Sequence, residues 1–354
     1  METSEISPVW FKSDGRQHMA DILSKNAAYD KIFVLCDTNT EKFCLPYLKE
    51  LFKETSTAIT LVIPAGEKSK TTNQAEIIWQ KLIEYGATRQ SLLINLGGGM
   101  ITDIGAFVAT LFKRGMPYIH IPTTLLAMTD AAIGGKNAVN ILSYKNQAGT
   151  FSFPVCTYVD TEFLKTLSEN ELKNGFAEML KHGIIYDKNY FMQLAGNGNF
   201  TSEDAIRSSV EIKNEIVKKD KYDRTERKIL NFGHTIGHAV ESMMAAGGNE
   251  ISHGVAVAAG MICESYMAVS KKMLSQEEFS IIESAIRKYF SFNFTFTYDG
   301  IEKFLWADKK NTSGQLKFSL PEKTGKCSYD ISVEKSLVIN AINKFSIPEI
   351  SNAG

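Results

Sequence analysis

The chain has 354 residues, which corresponds to about two domains of ordinary size. Hydrophobic residues make up 44% and charged ones 22%, which excludes a disordered tail, a collagen-like chain and a low-complexity scaffold. Against 39 Lys and Arg stand 40 Asp and Glu, so the net charge of −1 gives no general pull towards nucleic acid or an anionic membrane. An anionic ligand must therefore be met by a local convergence of cations. The first residues, Met1-Glu-Thr-Ser-Glu5, lack the basic and apolar regions of a secretory signal. The longest apolar runs, 104–112 and 255–262, hold about nine residues, too few for a membrane span. Five scattered cysteines without a CxxC pair read as reduced thiols. The expectation is a cytoplasmic protein with neither membrane nor nucleic acid as partner.

In chain order, the first half alternates short apolar runs with helical patterns. The runs 31–36, 58–63, 91–96, 118–121 and 155–159 read as buried parallel strands, and 74–85 has helical apolar spacing. Such alternation predicts a parallel sheet covered by helices on both faces. Residues 138–141 and 144–147 predict a hairpin. From about residue 167 the pattern becomes helical, over 169–181, 202–217, 231–246, 253–270 and 276–289. A β-like pair, 315–320 and 326–331, precedes a last helix ending near Phe345. The expected fold class is an α/β N-terminal Rossmann-like dinucleotide-binding domain, residues 1–165, followed by a mostly α-helical C-terminal metal- and substrate-binding domain, residues 166–354.

Three local patterns carry chemistry. The run 91–96 leads into Gly97-Gly98-Gly99 and then a helix with Thr102 and Asp103, so the backbone can approach a phosphate at a helix N-terminus. Asp37, just after the first run, could hold ribose hydroxyls or simply cap a helix. Thr123 and Thr124 follow a strand, and Asp130, Lys136, Lys145 and Asn146 place charges around Gly134-Gly135, as an anion site needs. Finally, three of the six His lie close together: His234 and His238, at i and i+4 on one helix face, and His253. Glu178 is a carboxylate inside an apolar helical run, and a buried carboxylate needs a partner. Two His and one Glu suit a catalytic Zn²⁺, though spacing leaves open which two of the three His would ligate.

These residues belong to a longer ordered set. Pro64-Ala-Gly-Glu67-Lys-Ser-Lys70, Gly97-Gly98-Gly99 with Asp103, Arg114-Gly115, Pro122-Thr-Thr-Leu-Leu-Ala127 with Asp130, and Ile133-Gly-Gly-Lys136 come first. Lys145-Asn146, Phe151-x-x-Pro154, Asp160, Phe163-x-x-Thr166-Leu167 and Ala177-Glu178-x-x-Lys181 follow, then Arg227-x-x-Leu-Asn231-Phe-Gly-His-Thr-x-Gly-His238-Ala, His253-Gly254 and Asp308-Lys309-Lys310. Over nearly the whole chain this closely resembles the 3-dehydroquinate synthase family. The resemblance implies that Glu178, His234 and His253 bind Zn²⁺ or Co²⁺, while His238 faces substrate. It implies NAD held by Asp37, Asn39, Glu67, Lys70, Gly98, Gly99, Asp103, Thr123, Thr124, Lys136, Lys145, Phe163, Thr166 and Leu167.

The implied substrate is a small anionic sugar-acid phosphate, 3-deoxy-D-arabino-heptulosonate 7-phosphate. Its phosphate would meet Lys136, Asn146, Asn231, His238 and Lys309 or Lys310, with Arg114 reaching in from the second subunit of a homodimer. Its carboxylate would meet Lys213 and Arg227, and its ring hydroxyls Asp130, Lys181 and the metal. The reaction implied is transient oxidation by NAD, elimination of phosphate, re-reduction and an intramolecular aldol closure to 3-dehydroquinate. Three positions depart from the family pattern. Val255 stands where a Glu is usual beside His253, Asp223 stands for an acid/base Glu, and Thr225 for a Gly. The missing carboxylate at 255 predicts a weaker metal site if it belongs to the outer shell of ligands. Related cyclases acting on sedoheptulose 7-phosphate, and a non-catalytic relative that only binds cofactor, are the alternatives. Retention of Gly134-Gly135-Lys136, Asp308-Lys309-Lys310, Glu178, His234 and His253 favours the synthase.

Overall fold

The apolar runs of the first half form a six-stranded, all-parallel sheet because side chains on both strand faces find cover. In one inner strand Phe33, Val34, Leu35 and Cys36 have no exposed surface, and neither do Leu92, Leu93, Ile94 and Leu96 in its neighbour. The computed structural model describes residues 6–24, 29–142, 144–197, 199–307 and 315–346. In chain order the elements are β1 Val9–Phe11, α1 Lys12–Ser24, β2 Ile32–Asp37, α2 Thr38–Phe43, α3 Leu45–Leu51, β3 Ile59–Ile63, α4 Thr72–Glu84, β4 Leu92–Gly97 and α5 Gly99–Leu111. Then come β5 Tyr118–Pro122, β6 Lys136–Ile141, β7 Tyr144–Phe151, β8 Thr157–Val159, α6 Glu169–Tyr186, α7 Lys188–Asn197 and α8 Glu203–Lys219. The chain continues with α9 His234–Ala246, α10 His253–Ser270, α11 Gln276–Tyr289, α12 Tyr298–Ala307, β9 Leu316–Lys323, β10 Lys326–Val333 and α13 Lys335–Ser346.

The sheet order is β1-β8-β5-β4-β2-β3, so β4 and β5 lie side by side at its centre. Their C-terminal ends, Gly97 and Pro122, are register partners, which puts the glycine turn next to Thr123 and Thr124. Helix α4 starts where Thr71 caps the Gln74 N–H, and it turns Ala75, Ile78 and Leu82 inward. Helix α5 buries nearly every residue from Ile101 to Ala109, with Asp103 the exception. Each large apolar side chain sealed this way contributes about 2 kcal/mol. The predicted hairpin is antiparallel β6–β7, with Lys136 opposite Phe151.

The described residues fall into two compact units, 1–175 with 201–221, and 176–200 with 222–354. In the second unit α9 and α10 cross with almost no space between their backbones. A Cβ on Gly237 would sit 2.9 Å from the Ala256 carbonyl oxygen, and one on Gly260 would overlap the Gly233 carbonyl. Only glycine permits that approach, and it brings the first turns bearing His234 and His253 together. The β9–β10 hairpin is antiparallel.

The five predicted strands, the hairpin and the later helices are present, with shifted ends. Helix α9 begins at His234 rather than 231 because 226–231 form a 3₁₀ turn and Gly233 has φ of 79°, which no α-helix continues through. Helix α6 runs on to Tyr186, past the predicted 181. Strand β1 and helices α1, α2, α3, α7 and α12 were not anticipated. No helix among the described residues is long and apolar enough to cross a membrane.

Candidate active site

In the first unit, residues predicted for a dinucleotide gather at the C-terminal edge of the sheet. Helix α5 starts at Gly98-Gly99 with no side-chain cap on its first N–H groups. A Cβ on Gly98 would come within 3.0 Å of Thr124 Cγ2, and one on Gly99 within 3.1 Å of Ala131 Cβ, so side chains there would crowd the turn. The Thr123 N–H donates to the Gly97 carbonyl at 3.0 Å. Buried Asp37 uses Oδ1 to cap α2, accepting from the Asn39 and Thr40 N–H groups at 2.8 and 2.9 Å. The thiol of Cys44, lifted to about 11 by burial and by Asp37, is shared by the side chains of Thr123 and Thr166. Phe163 lies edge-on to Tyr47, and Leu167 is half-buried just beyond.

Beside this lies a connected polar group. Lys70 is buried, pairs with Asp103, reaches Asn146 Oδ1 at 2.7 Å and faces Glu67 at 3.8 Å. Burial opposes its charge, but the Asp103 and Glu67 carboxylates outweigh it and hold the ammonium above its ordinary range. Asn140 ties Glu67 to the Asn146 N–H. Asp130 sits in a π-helical turn, 127–131, where Lys213 from α8 lies 2.6 Å from both its Oδ1 and its carbonyl. Gly134 and Gly135 have φ of 93° and 71°, a turn that sets exposed Lys136 at the head of β6. Lys145 and Arg114 are exposed, and Arg114 follows Lys113 through left-handed backbone, φ of 71° and 49°.

The second unit holds the carboxylate and the imidazoles. Glu178, on α6, has no exposed surface, and Lys181 one turn on forms an ion pair with it. His234 Nε2 and His253 Nε2 both face Glu178 Oε1, at 3.4 and 3.5 Å. The other ring nitrogens point away: His234 Nδ1 is 3.1 Å from the Phe232 carbonyl and His253 Nδ1 is 3.3 Å from Glu241 Oε2. Both Nε2 atoms are thereby turned towards the carboxylate. Burial would raise the Glu178 carboxyl, yet Lys181 and His234 hold it well below the usual range, so it stays ionised. Burial would depress His253 too, but Glu178 and Glu241 lift it to about 10.

Among the described residues neither Glu178 oxygen takes a well-aligned hydrogen bond, which leaves the carboxylate able to accept a cation. One buried carboxylate and two oriented imidazoles fit a divalent metal. His238 is exposed, its ring 5.0 Å from that of His234 and 5.8 Å from that of His253. Of the three His, the two that face Glu178 are therefore 234 and 253. Arg227 is buried in the 3₁₀ turn that ends at Asn231. Asp223 has φ of 57°, a left-handed position that Asp takes more readily than the longer Glu. Lys309 and Lys310 lie outside the described residues.

Two acidic residues escaped the sequence reading. Glu241 follows His234 by seven positions and His238 by three, which puts all three on one face of α9, and that spacing was the available signal. Glu264, buried on α10, accepts from the Gly233 and Ile236 N–H groups at 2.6 and 3.2 Å and so caps the start of α9 across the helix pair. No pattern within a single helix announces that contact.

The parallel sheet with a glycine turn at its edge and the helix-rich C-terminal region form a fold shared with solved sugar-phosphate cyclases. A structure of 2-epi-5-epi-valiolone synthase from Streptomyces hygroscopicus subsp. jinggangensis, with NAD⁺ and Zn²⁺ bound, matches with a TM-score of 0.81 and 26% identity over 96% of this chain and 97% of that one. A 2-deoxy-scyllo-inosose synthase complexed with carbaglucose-6-phosphate, NAD⁺ and Co²⁺ matches with a TM-score of 0.82 and 23% identity, over 96% and 98%. The family model for the 3-dehydroquinate synthase N-terminal region matches residues 60–174, and that for the C-terminal region matches 175–311. The 3-dehydroquinate synthase of Parabacteroides distasonis is 38% identical over 340 residues, 93% of this chain and 95% of that protein. The chain belongs to the 3-dehydroquinate synthase family.

Proposed function

We propose that this chain converts 3-deoxy-D-arabino-heptulosonate 7-phosphate into 3-dehydroquinate and phosphate, as a cyclising carbon–oxygen lyase dependent on NAD and on Zn²⁺ or Co²⁺. The observation that carries this reading is the convergence of Glu178, His234 and His253 in a chain of this family. The first unit, with the Gly98-Gly99 turn, is proposed as the NAD domain, and the second, with Glu178, as the metal domain. We place the enzyme in the cytoplasm as a homodimer.

Bound NAD would supply a transient hydride acceptor, so that the redox change over the whole reaction is zero. Bound metal would polarise the substrate oxygen being oxidised and lower its pKa. The protein's part is then mostly positioning. Glu178, His234 and His253 would hold the metal; Asp37, Thr123, Thr124, Lys70 and Asp103, with the Gly98-Gly99 turn, would hold NAD. Lys136, Asn146, Asn231, His238, Lys309 or Lys310 and a second subunit's Arg114 are proposed for the phosphate, and Lys213 and Arg227 for the carboxylate. Such charge-assisted hydrogen bonds orient both anionic ends at once. His238 and Asp223 are proposed to move protons at the substrate.

Purified protein given NAD and Zn²⁺ or Co²⁺ is expected to release phosphate and 3-dehydroquinate from the heptulosonate phosphate. Turnover of sedoheptulose 7-phosphate alone would move the assignment to the related cyclases. The Lys136→Ala variant is expected to keep its metal and lose phosphate release; loss of metal as well would overturn the role given to Lys136.

A further inference from the structure

The sequence left a difficulty at His253: the carboxylate usual two residues on is replaced by Val255, which predicts a weaker metal site. In the structure His253 nevertheless has a carboxylate at its outer nitrogen, supplied by another helix. Glu241 Oε2 lies 3.3 Å from His253 Nδ1, while His253 Nε2 faces Glu178 Oε1 at 3.5 Å on the opposite side of the ring. The Glu241 side chain is 13% exposed and that of His253 26%, so water competes only weakly for the contact. A neutral imidazole carries one N–H, and an acceptor at Nδ1 keeps the proton there and frees Nε2 as the lone-pair donor.

We propose that Glu241 is a positioning residue of the metal site: it fixes the orientation and tautomer of His253 and takes the place of the carboxylate absent at 255. The helix pair makes this possible. Glu241 lies two turns along α9 from His234, and the glycine-lined crossing at Gly237 and Gly260 holds α9 close enough to α10 for its carboxylate to reach the first residue of α10. The two imidazoles are thus oriented differently, His234 by the Phe232 carbonyl of its own chain segment and His253 by a side chain from the neighbouring helix. The inference rests on the proposed metal site, since a positioned ligand is useful only where something is ligated.

The test is Co²⁺ titration of metal-free wild type, Glu241→Ala and Glu241→Gln, read by the visible Co²⁺ absorption, with far-UV circular dichroism and thermal unfolding of each metal-free protein. Removing an outer-shell carboxylate is expected to weaken Co²⁺ by about 10- to 100-fold in Glu241→Ala and to change the absorption bands. Glu241→Gln, whose amide oxygen can still accept the Nδ1 proton, is expected to regain most of the affinity and the wild-type bands. Equal Co²⁺ affinity and bands in wild type and Glu241→Ala would overturn the proposal. So would a loss in Glu241→Ala that tracks a loss of helix signal or of metal-free stability, with Glu241→Gln folded and no better than Ala. Failure of wild type itself to bind Co²⁺ would instead overturn the metal reading on which the proposal stands.

Discussion

The Lys213 ammonium lies 2.6 Å from both the Oδ1 and the main-chain carbonyl of Asp130, so one cation from α8 fixes a carboxylate and the π-helical turn that carries it. π turns of this kind are frequent at functional sites. Lys213 is largely buried and Asp130 a quarter exposed, which leaves the carboxylate open to a ligand while the ammonium anchors it. Lys213→Ala is expected to raise KM for the heptulosonate phosphate at least tenfold and to cost about 1–3 kcal/mol of stability. Steady-state phosphate release and urea unfolding measure the two. An unchanged KM would remove Lys213 from substrate binding.

The glycine turn yields a second prediction. A methyl on Gly98 would lie 3.0 Å from Thr124 Cγ2 and 3.3 Å from its hydroxyl, pressing against a side chain proposed to hold the cofactor. Gly98→Ala is expected to weaken NAD at least tenfold, about 1.4 kcal/mol, with little loss of folding stability because the threonine can give. Titration with NADH fluorescence reads the first and thermal unfolding the second. Wild-type NAD affinity in this variant would contradict the role of the turn.

The sequence showed some parts of this molecule plainly and hid others for physical reasons. Strands β2 and β4 are continuous apolar runs because both of their faces are covered, and that leaves a mark in composition alone. Strand β1 has only Val9, Trp10 and Phe11, and exists because β8 pairs with it, which no local pattern records. Glu178 stood out as a lone carboxylate in an apolar helix, and the structure gives it the charged partners that reading required. The Lys70–Asp103 pair joins residues on separate elements, and the Glu241–His253 contact depends on how two helices cross, so neither was legible beforehand.

His120 gives a pH dependence that is independent of the metal site. Its ring is buried on β5 beside Tyr118 and Asn95, and burial lowers its pKa from 6.5 to about 3. Between those values the unfolded chain takes up a proton that the folded chain refuses. Stability from this residue is therefore complete above about pH 6.5 and is lost as pH falls towards 3, by about 1.4 kcal/mol per unit. From pH 7 to pH 5 the wild type is expected to lose about 2 kcal/mol more than His120→Gln, whatever their difference at pH 7. Urea unfolding at both pH values decides it; parallel losses in the two proteins would show that His120 is not buried neutral.

The crossing of α9 and α10 makes the last prediction. A Cβ on Gly260 would overlap the Gly233 carbonyl and lie 2.9 Å from the Gly237 amide nitrogen, both backbone atoms that cannot swing aside. Gly260→Ala must therefore push the helices apart, and the first turns of α9 and α10 carry His234 and His253. Overpacking of this kind costs about 1–3 kcal/mol, and the separation is expected to weaken Co²⁺ at least tenfold. Gly196, in α7, meets nothing within 4 Å, so Gly196→Ala serves as the control. It is expected to be neutral or to stabilise by up to about 1 kcal/mol through helix propensity alone. Thermal unfolding and Co²⁺ absorption of both variants separate the cases: equal behaviour would mean that the glycine-lined crossing does not set the spacing of the two imidazoles.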